Sequence, residues 1–197
     1  MKRLLFAVAA SSILLVSVAA TQASESRRIW AAVSPSVVKV TGSYPGNKTY
    51  VCTGFVVRPR QIMTAAHCIK DENGKQLSIA VDGQSVTVLK TEEWLALLYD
   101  ETTTKPPLKV AKEPVQIGDT TYAFGFGYNT LTILIRPIVW MLQTKTFQGI
   151  VVDGMFIQGM SGGPVVDSNG HVVGVVQKSD DTMGLASGPG AIKAFLH

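Results

Sequence analysis

Two short stretches of this chain hold the side chains best suited to chemistry. Thr64–Cys68 reads TAAHC and carries His67, and Gly159–Val166 reads GMSGGPVV and carries Ser161. A serine hydroxyl is inert at neutral pH and becomes a nucleophile only when a nearby base removes its proton. Imidazole titrates close to neutrality and is the side chain most often used for that task. The chain has three histidines. His171 sits in a hairpin and His197 ends the chain, so His67 alone has a supporting context. The glycines around Ser161 allow a tight loop closed to other residues. The backbone N–H groups of Gly159 and Ser161 would then face the negative charge that develops on an attacked carbonyl oxygen.

Gly159 to Gly163 fits G-x-S-x-G, a pattern also used at the strand-to-helix elbow of α/β-hydrolases. Pro164 and two valines follow here, so no helix begins at that point. Only 36 residues remain after Ser161, too few for an acid and a histidine placed downstream. The elements that must position His67 and Ser161 are instead short apolar runs separated by turn residues. SVVKV (36–40), TGFVV (53–57), QIMTAA (61–66), LSIAV (77–81), SVTVL (85–89) and WLALLY (94–99) form one set. TTYAFGF, LTILI, PIVWML, FQGIVV, PVVD and HVVGVV form a second. Such runs predict β-strands. Residues 100–114 are polar and contain three prolines, which suits a crossover between two halves. The expectation is an all-β chain of two six-stranded-type antiparallel barrels, which leave few free edges. The first barrel covers 24–99 and the second 115–197, with a short helix over Gly190–Leu196 and no internal repeat. Leu131–Leu142 is read as two core strands broken at Arg136-Pro137, rather than as a membrane or partner surface.

Residues 1–23 read as an export signal, with a basic start at Lys2 and Arg3 and an uncharged run from Leu4 to Ala20. Ala20 and Ala23 are the candidate cleavage points; an uncleaved anchor is the alternative. The remainder is expected to be soluble and periplasmic or secreted. Without Lys2 and Arg3 the balance is 16 basic against 14 acidic residues, which implies no nucleic-acid partner. Cys52 and Cys68 are the two cysteines, an even count that in an exported chain suggests one disulfide. Closing a loop of that length stabilises a fold by roughly 3 kcal/mol in chain-entropy terms. No metal or organic cofactor is expected, because no His/Cys/carboxylate group has ligand spacing.

TAAHC and GxSGGP, with His67 and Ser161 94 residues apart in that order, resemble the chymotrypsin-like serine peptidases. SPSVVKV, PVQIGDTTYAFGFG and the terminal GLASGPGAIKAFL are similar to the bacterial high-temperature-requirement (Deg-type) and glutamyl-endopeptidase-like branches. The resemblance covers roughly residues 30–196. It implies a double barrel, hydrolysis of peptide bonds through an acyl-enzyme on Ser161, and His67 as the general base. It also implies a Cys52–Cys68 bridge beside the histidine and an oxyanion hole built by Gly159 and Ser161. The floor of the specificity pocket falls at Met155, with Phe156 next to it, and their apolar character implies small or medium aliphatic side chains before the cut. The expected partner is a peptide or protein substrate. No PDZ domain follows, so regulation by one is not implied, and oligomeric state is open.

The sequence departs from the family in two places. Where relatives carry an acid before a strand reading D-L-A-L-L, this chain has Glu92-Glu93-Trp94-Leu95-Ala96-Leu97-Leu98, which puts Trp94 in the acid's place. Glu93 is the expected partner of His67 if a bulge turns it inward; Asp100, Asp82 or no acid at all are the alternatives. Met160 precedes the nucleophile, where an Asp in many relatives pairs with a new N-terminus, so no activating cleavage is expected. A second function class stands beside the enzyme: a catalytically weak or inactive form of this fold that binds proteins or peptides.

Overall fold

The protein is described here by a computed structural model, covering residues 23–44, 48–113, 115–145 and 147–197. The leader expected over 1–23 therefore lies outside the described residues, except for Ala23.

The first half is one curled sheet of seven strands: β1 (Val37–Ser43), β2 (Thr49–Arg58), β3 (Gln61–Ala65), β4 (Ser78–Val81), β5 (Gln84–Ser85), β6 (Thr87–Thr91) and β7 (Leu95–Tyr99). Its order is β5-β4-β1-β2-β3-β7-β6. The second half is a closed six-stranded barrel of β8 (Thr120–Gly127), β9 (Thr130–Gln143), β10 (Gln148–Asp153), β11 (Pro164–Val166), β12 (Val172–Ser179) and β13 (Met183–Ser187). A C-terminal helix (Pro189–Leu196) follows. This is the chymotrypsin-like double-barrel architecture, with the first half a half-barrel sheet rather than a closed six-stranded barrel.

Strand alternation divides the apolar side chains among three cores. On β2 and β3, Val56 and Ile62 point into the first half, beside Val38, Val40, Ile79 and Leu98. Phe55, Val57 and Met63 point the other way and meet Tyr122, Phe124, Val166 and Val175 of the second half. Ile138, Ile150, Val152, Val165, Val173 and Val176 fill the closed barrel. The two halves thus share a core along the face that odd-numbered β2 positions present.

Two expectations are corrected here. A helix, α1, spans 23–33, where the sequence reading placed none. Ile29 and Val33, four residues apart, are fully buried in the shared core, and Trp30 stacks on Phe124 at 5.8 Å. Pro35 in the following 3-10 turn stops the helix from continuing. Leu131–Leu142 is likewise not two core strands. It lies in one 14-residue strand, β9, that pairs with β8 up to Pro137 and with β10 from Ile138 onward. The proline stands where the strand changes partner, so its missing N–H interrupts no continuous ladder. Val139, Trp140 and Met141 are exposed.

The burial of α1 yields a first prediction. Ile29→Ala should lower unfolding stability by about 2–5 kcal/mol, because the site is closed and cannot collapse readily. Leu89→Ala, at a residue 49% exposed, should change it by less than about 0.5 kcal/mol. Urea denaturation of both variants measures the difference; equal effects would contradict the packing described.

Candidate active site

His67 sits in a 3-10 turn, Ala66–Cys68, at the end of β3. The turn is held from two sides. The Ala66 N–H donates to the Trp94 carbonyl at 3.0 Å, just ahead of β7. Cys68 is bridged to Cys52 on β2. The Tyr50 hydroxyl donates to the Cys68 carbonyl, and burial keeps this phenol from ionising well beyond its ordinary range. A ring nitrogen of His67 lies within 4.8 Å of both disulfide sulfurs. His67 is exposed, yet partial desolvation by its neighbours holds its pKa below the ordinary histidine value. Its neutral, proton-accepting form therefore dominates at neutral pH.

Ser161 lies on the loop between β10 and β11. Gly159 and Gly162 take φ of +97° and +83°, the left-handed region in which side chains are strained. A Cβ at Gly159 would lie 2.4 Å from the Phe126 carbonyl oxygen, and one at Gly162 would lie 2.3 Å from that of Thr53. The loop is tied to β12 by Gly162 N–H donating to the Val176 carbonyl (2.7 Å) and Val176 N–H donating to that of Gly163 (2.9 Å).

Thr53 ties it to the first half. This residue is fully buried on the odd-numbered face of β2, toward the second barrel. Its N–H donates to the Ser161 carbonyl at 2.8 Å. Its hydroxyl donates to the Gly159 carbonyl at 2.7 Å and accepts from Phe126 N–H at 2.9 Å. Its own carbonyl accepts the Thr64 hydroxyl at 2.7 Å, three residues before His67. With the Gly159 and Ser161 carbonyls turned toward Thr53, neither loop amide donates to a protein acceptor among the described residues. Two N–H groups are thus left for an anionic oxygen. The sequence reading missed Thr53; a threonine beside Cys52 in an apolar strand was the signal available.

His67, Ser161 and Gly159 line one open groove of about 720 Å³, together with Tyr50, Tyr128 and Lys39. The Ser161 hydroxyl donates to the Gln177 carbonyl at 3.2 Å, rather than to His67. A larger groove of about 910 Å³ runs past Leu108, Asp167 and His171, away from these residues.

The trypsin-like peptidase domain family matches residues 52–175, a span that holds both His67 and Ser161. The chain belongs to that family. The serine protease Rv3671c of Mycobacterium tuberculosis is 30% identical over 161 residues, covering 74% of this chain and 41% of its own length. The chain thus spans well under half of that curated relative. The crystal structure of the active form of the Rv3671c protease superposes with a TM-score of 0.74 at 27% identity, covering 85% of this chain and 82% of that one. The serine endoprotease from Yersinia pestis shares the fold at a TM-score of 0.71 and 20% identity, over 86% of this chain and 64% of that one.

Within this trypsin-like peptidase the acid candidates are placed as follows. Glu93 is exposed and forms neither hydrogen bond nor ion pair with His67, so the expected inward turn is not seen. Trp94 is half-buried and packs edge-on against Phe147, with ring centroids 4.7 Å apart. Asp100 is buried, but its carboxylate accepts from the Thr102 N–H and hydroxyl. The Asp82 carboxylate accepts from Lys39 N–H on β1 and pairs with Lys105 at 3.6 Å. None of the three carboxylates reaches the imidazole. Met160 is fully buried. Met155 is 45% exposed, whereas Phe156 is buried and its ring covers Gly184.

Thr53→Val keeps the volume and the strand propensity but removes the hydroxyl that joins Gly159 to Phe126. Removal of hydrogen bonds from the support of an oxyanion site should lower kcat at least tenfold, with KM nearly unchanged. Peptidase assays on folded variant protein test this; an unaltered kcat would show that the loop holds its shape without Thr53.

Proposed function

We propose that the chain is an exported serine endopeptidase that hydrolyses peptide bonds through an acyl-enzyme. The observation carrying this reading is the convergence of His67, Ser161 and two undonated loop amides on one open groove. In the proposed mechanism Ser161 attacks the peptide carbonyl as His67 takes the hydroxyl proton. The N–H groups of Gly159 and Ser161 hold the resulting oxyanion, and His67 returns the proton to the leaving amine. Water then enters and attacks the acyl carbon as His67 takes its proton; that proton passes to Ser161 Oγ as the ester bond breaks and the acid leaves. A turn of the Ser161 hydroxyl from the Gln177 carbonyl toward His67 precedes attack.

The substrate pocket in this proposal is narrow and apolar. Phe156 occupies the space over Gly184, and no acid stands at Met155 to attract Lys or Arg. Small aliphatic side chains before the scissile bond fit such a pocket. Export, with a periplasmic or secreted location, is supported by the leader-like residues 1–23 and by the Cys52–Cys68 bridge, which persists in oxidising compartments.

A second reading, a peptide-binding module without turnover, is favoured by the exposed Glu93 and by the hydroxyl hydrogen bond to Gln177. Reaction with a fluorophosphonate probe separates the two. The enzyme reading predicts an adduct on Ser161, its loss in Ser161→Ala, and cleavage of a peptide library mainly after small aliphatic residues. Absence of any Ser161 adduct favours the binding module; a library profile dominated by Lys and Arg overturns the pocket assignment.

A further inference from the structure

With no carboxylate bonded to the imidazole among the described residues, something else must orient His67 if Ser161 is to be activated. The structure assigns this role to Gln177: we propose that its side-chain carbonyl accepts the Nδ1–H of His67 and so fixes the base in its working tautomer. The inference rests on the peptidase reading above and names a positioning residue for it.

Four observations converge on Gln177. It is 2% exposed, a polar side chain at the end of an apolar strand. It stands at a β-bulge, since Val176 pairs with Ala186 and Lys178 with Leu185, leaving residue 177 outside the ladder. A bulge re-aims a side chain, and bulges collect beside active sites. The amide orientation is set by its donor end: Nε2 donates to the Trp94 carbonyl at 3.1 Å and to the Ser187 hydroxyl at 2.9 Å. A flipped amide would set its oxygen against the Trp94 carbonyl oxygen. Finally, Oε1 is buried with no hydrogen-bond partner.

Gln177 is bonded to Ser161 directly and is linked to the histidine turn through the Trp94 carbonyl. Its main-chain carbonyl holds the Ser161 hydroxyl. The Trp94 carbonyl that accepts its Nε2 also accepts Ala66 N–H, one residue from His67. The unpaired acceptor thus sits beside the histidine turn, and neither imidazole nitrogen has a hydrogen-bond partner among the described residues. Buried unpaired acceptors are rare in folded proteins. In this proposal a turn of the imidazole closes the contact before substrate binds, since bonds between catalytic groups are often long in a free structure. Trp94 takes the place where relatives keep an acid, and its carbonyl anchors the amide. Asn and Gln side chains cannot ionise, so the imidazolium formed during attack is stabilised by a dipole rather than a charge.

Trp94 Nε1 is the competing donor, being buried and unpartnered as well. Two variants and two readouts separate the alternatives. In 15N-labelled wild-type protein, NMR should show neutral His67 as the Nδ1–H tautomer. Gln177→Met should abolish that preference and lower kcat at least tenfold, with little change in KM. Gln177→Glu should raise the His67 pKa through a nearby negative charge and recover part of the lost kcat. If wild-type His67 is the Nε2–H tautomer, or if Gln177→Met leaves its tautomer unchanged while shifting only stability, the proposal is overturned and the indole holds Oε1. The tautomer readout needs no turnover. An intact Nδ1–H signal in a protein that never labels at Ser161 therefore sinks the peptidase reading while upholding the contact.

Discussion

The site depends on the way Thr53 joins the two halves of the fold. One buried residue on β2 binds the Ser161 carbonyl through its amide and the Gly159 carbonyl through its hydroxyl, while also receiving Phe126 N–H from β8. His67 is borne by the first half and Ser161 by the second, so their separation is set by how those halves abut. Phe55, Met63, Tyr122 and Phe124 supply the apolar attraction between them. That attraction is non-directional. The Thr53 hydrogen bonds add direction, and being buried they would be expensive to leave unmade. The same bonds engage the two loop carbonyls, while the Gly159 and Ser161 amides donate to no protein acceptor among the described residues.

Trp94 imposes the second constraint. Filling the usual place of an acid with an indole gains packing against Phe147 but removes the charge that would steady a protonated His67. In related catalytic triads, loss of that charge lowers kcat by about 10⁴ yet leaves catalysis well above background. The imidazole here is also partly desolvated, which lowers its pKa and favours the free base. On the peptidase reading proposed above, these features keep the base neutral and available and leave the imidazolium weakly stabilised.

Legibility in the sequence followed the range of the signal. That His67 and Ser161 would line one groove was legible from local neighbours: the alanines and Cys68 around one, the glycines around the other. The strands were readable because short apolar runs bounded by turn residues are local too. Thr53 and Gln177 were not, since each acquires its contacts only when β2 and β12 come together around the nucleophile loop. Glu93 was misleading for a related reason: adjacency in sequence to Trp94 does not determine which way a side chain faces at a strand start. Helix α1 was hidden by its proximity to the leader-like run, although the spacing of Ile29, Trp30 and Val33 is helical. Pro137 suggested a break in β9 and instead marks its change of partner.

The central claim is that His67, Ser161 and the two loop amides form one working centre. Binding of a small-alkyl peptide boronic acid, followed by crystallography of the adduct, tests it most directly. The account predicts a tetrahedral boron bonded to Ser161 Oγ, with one boronate oxygen within hydrogen-bond distance of both the Gly159 and Ser161 amides. A boronic acid that remains trigonal and unattached to Ser161 at saturating concentration would contradict it.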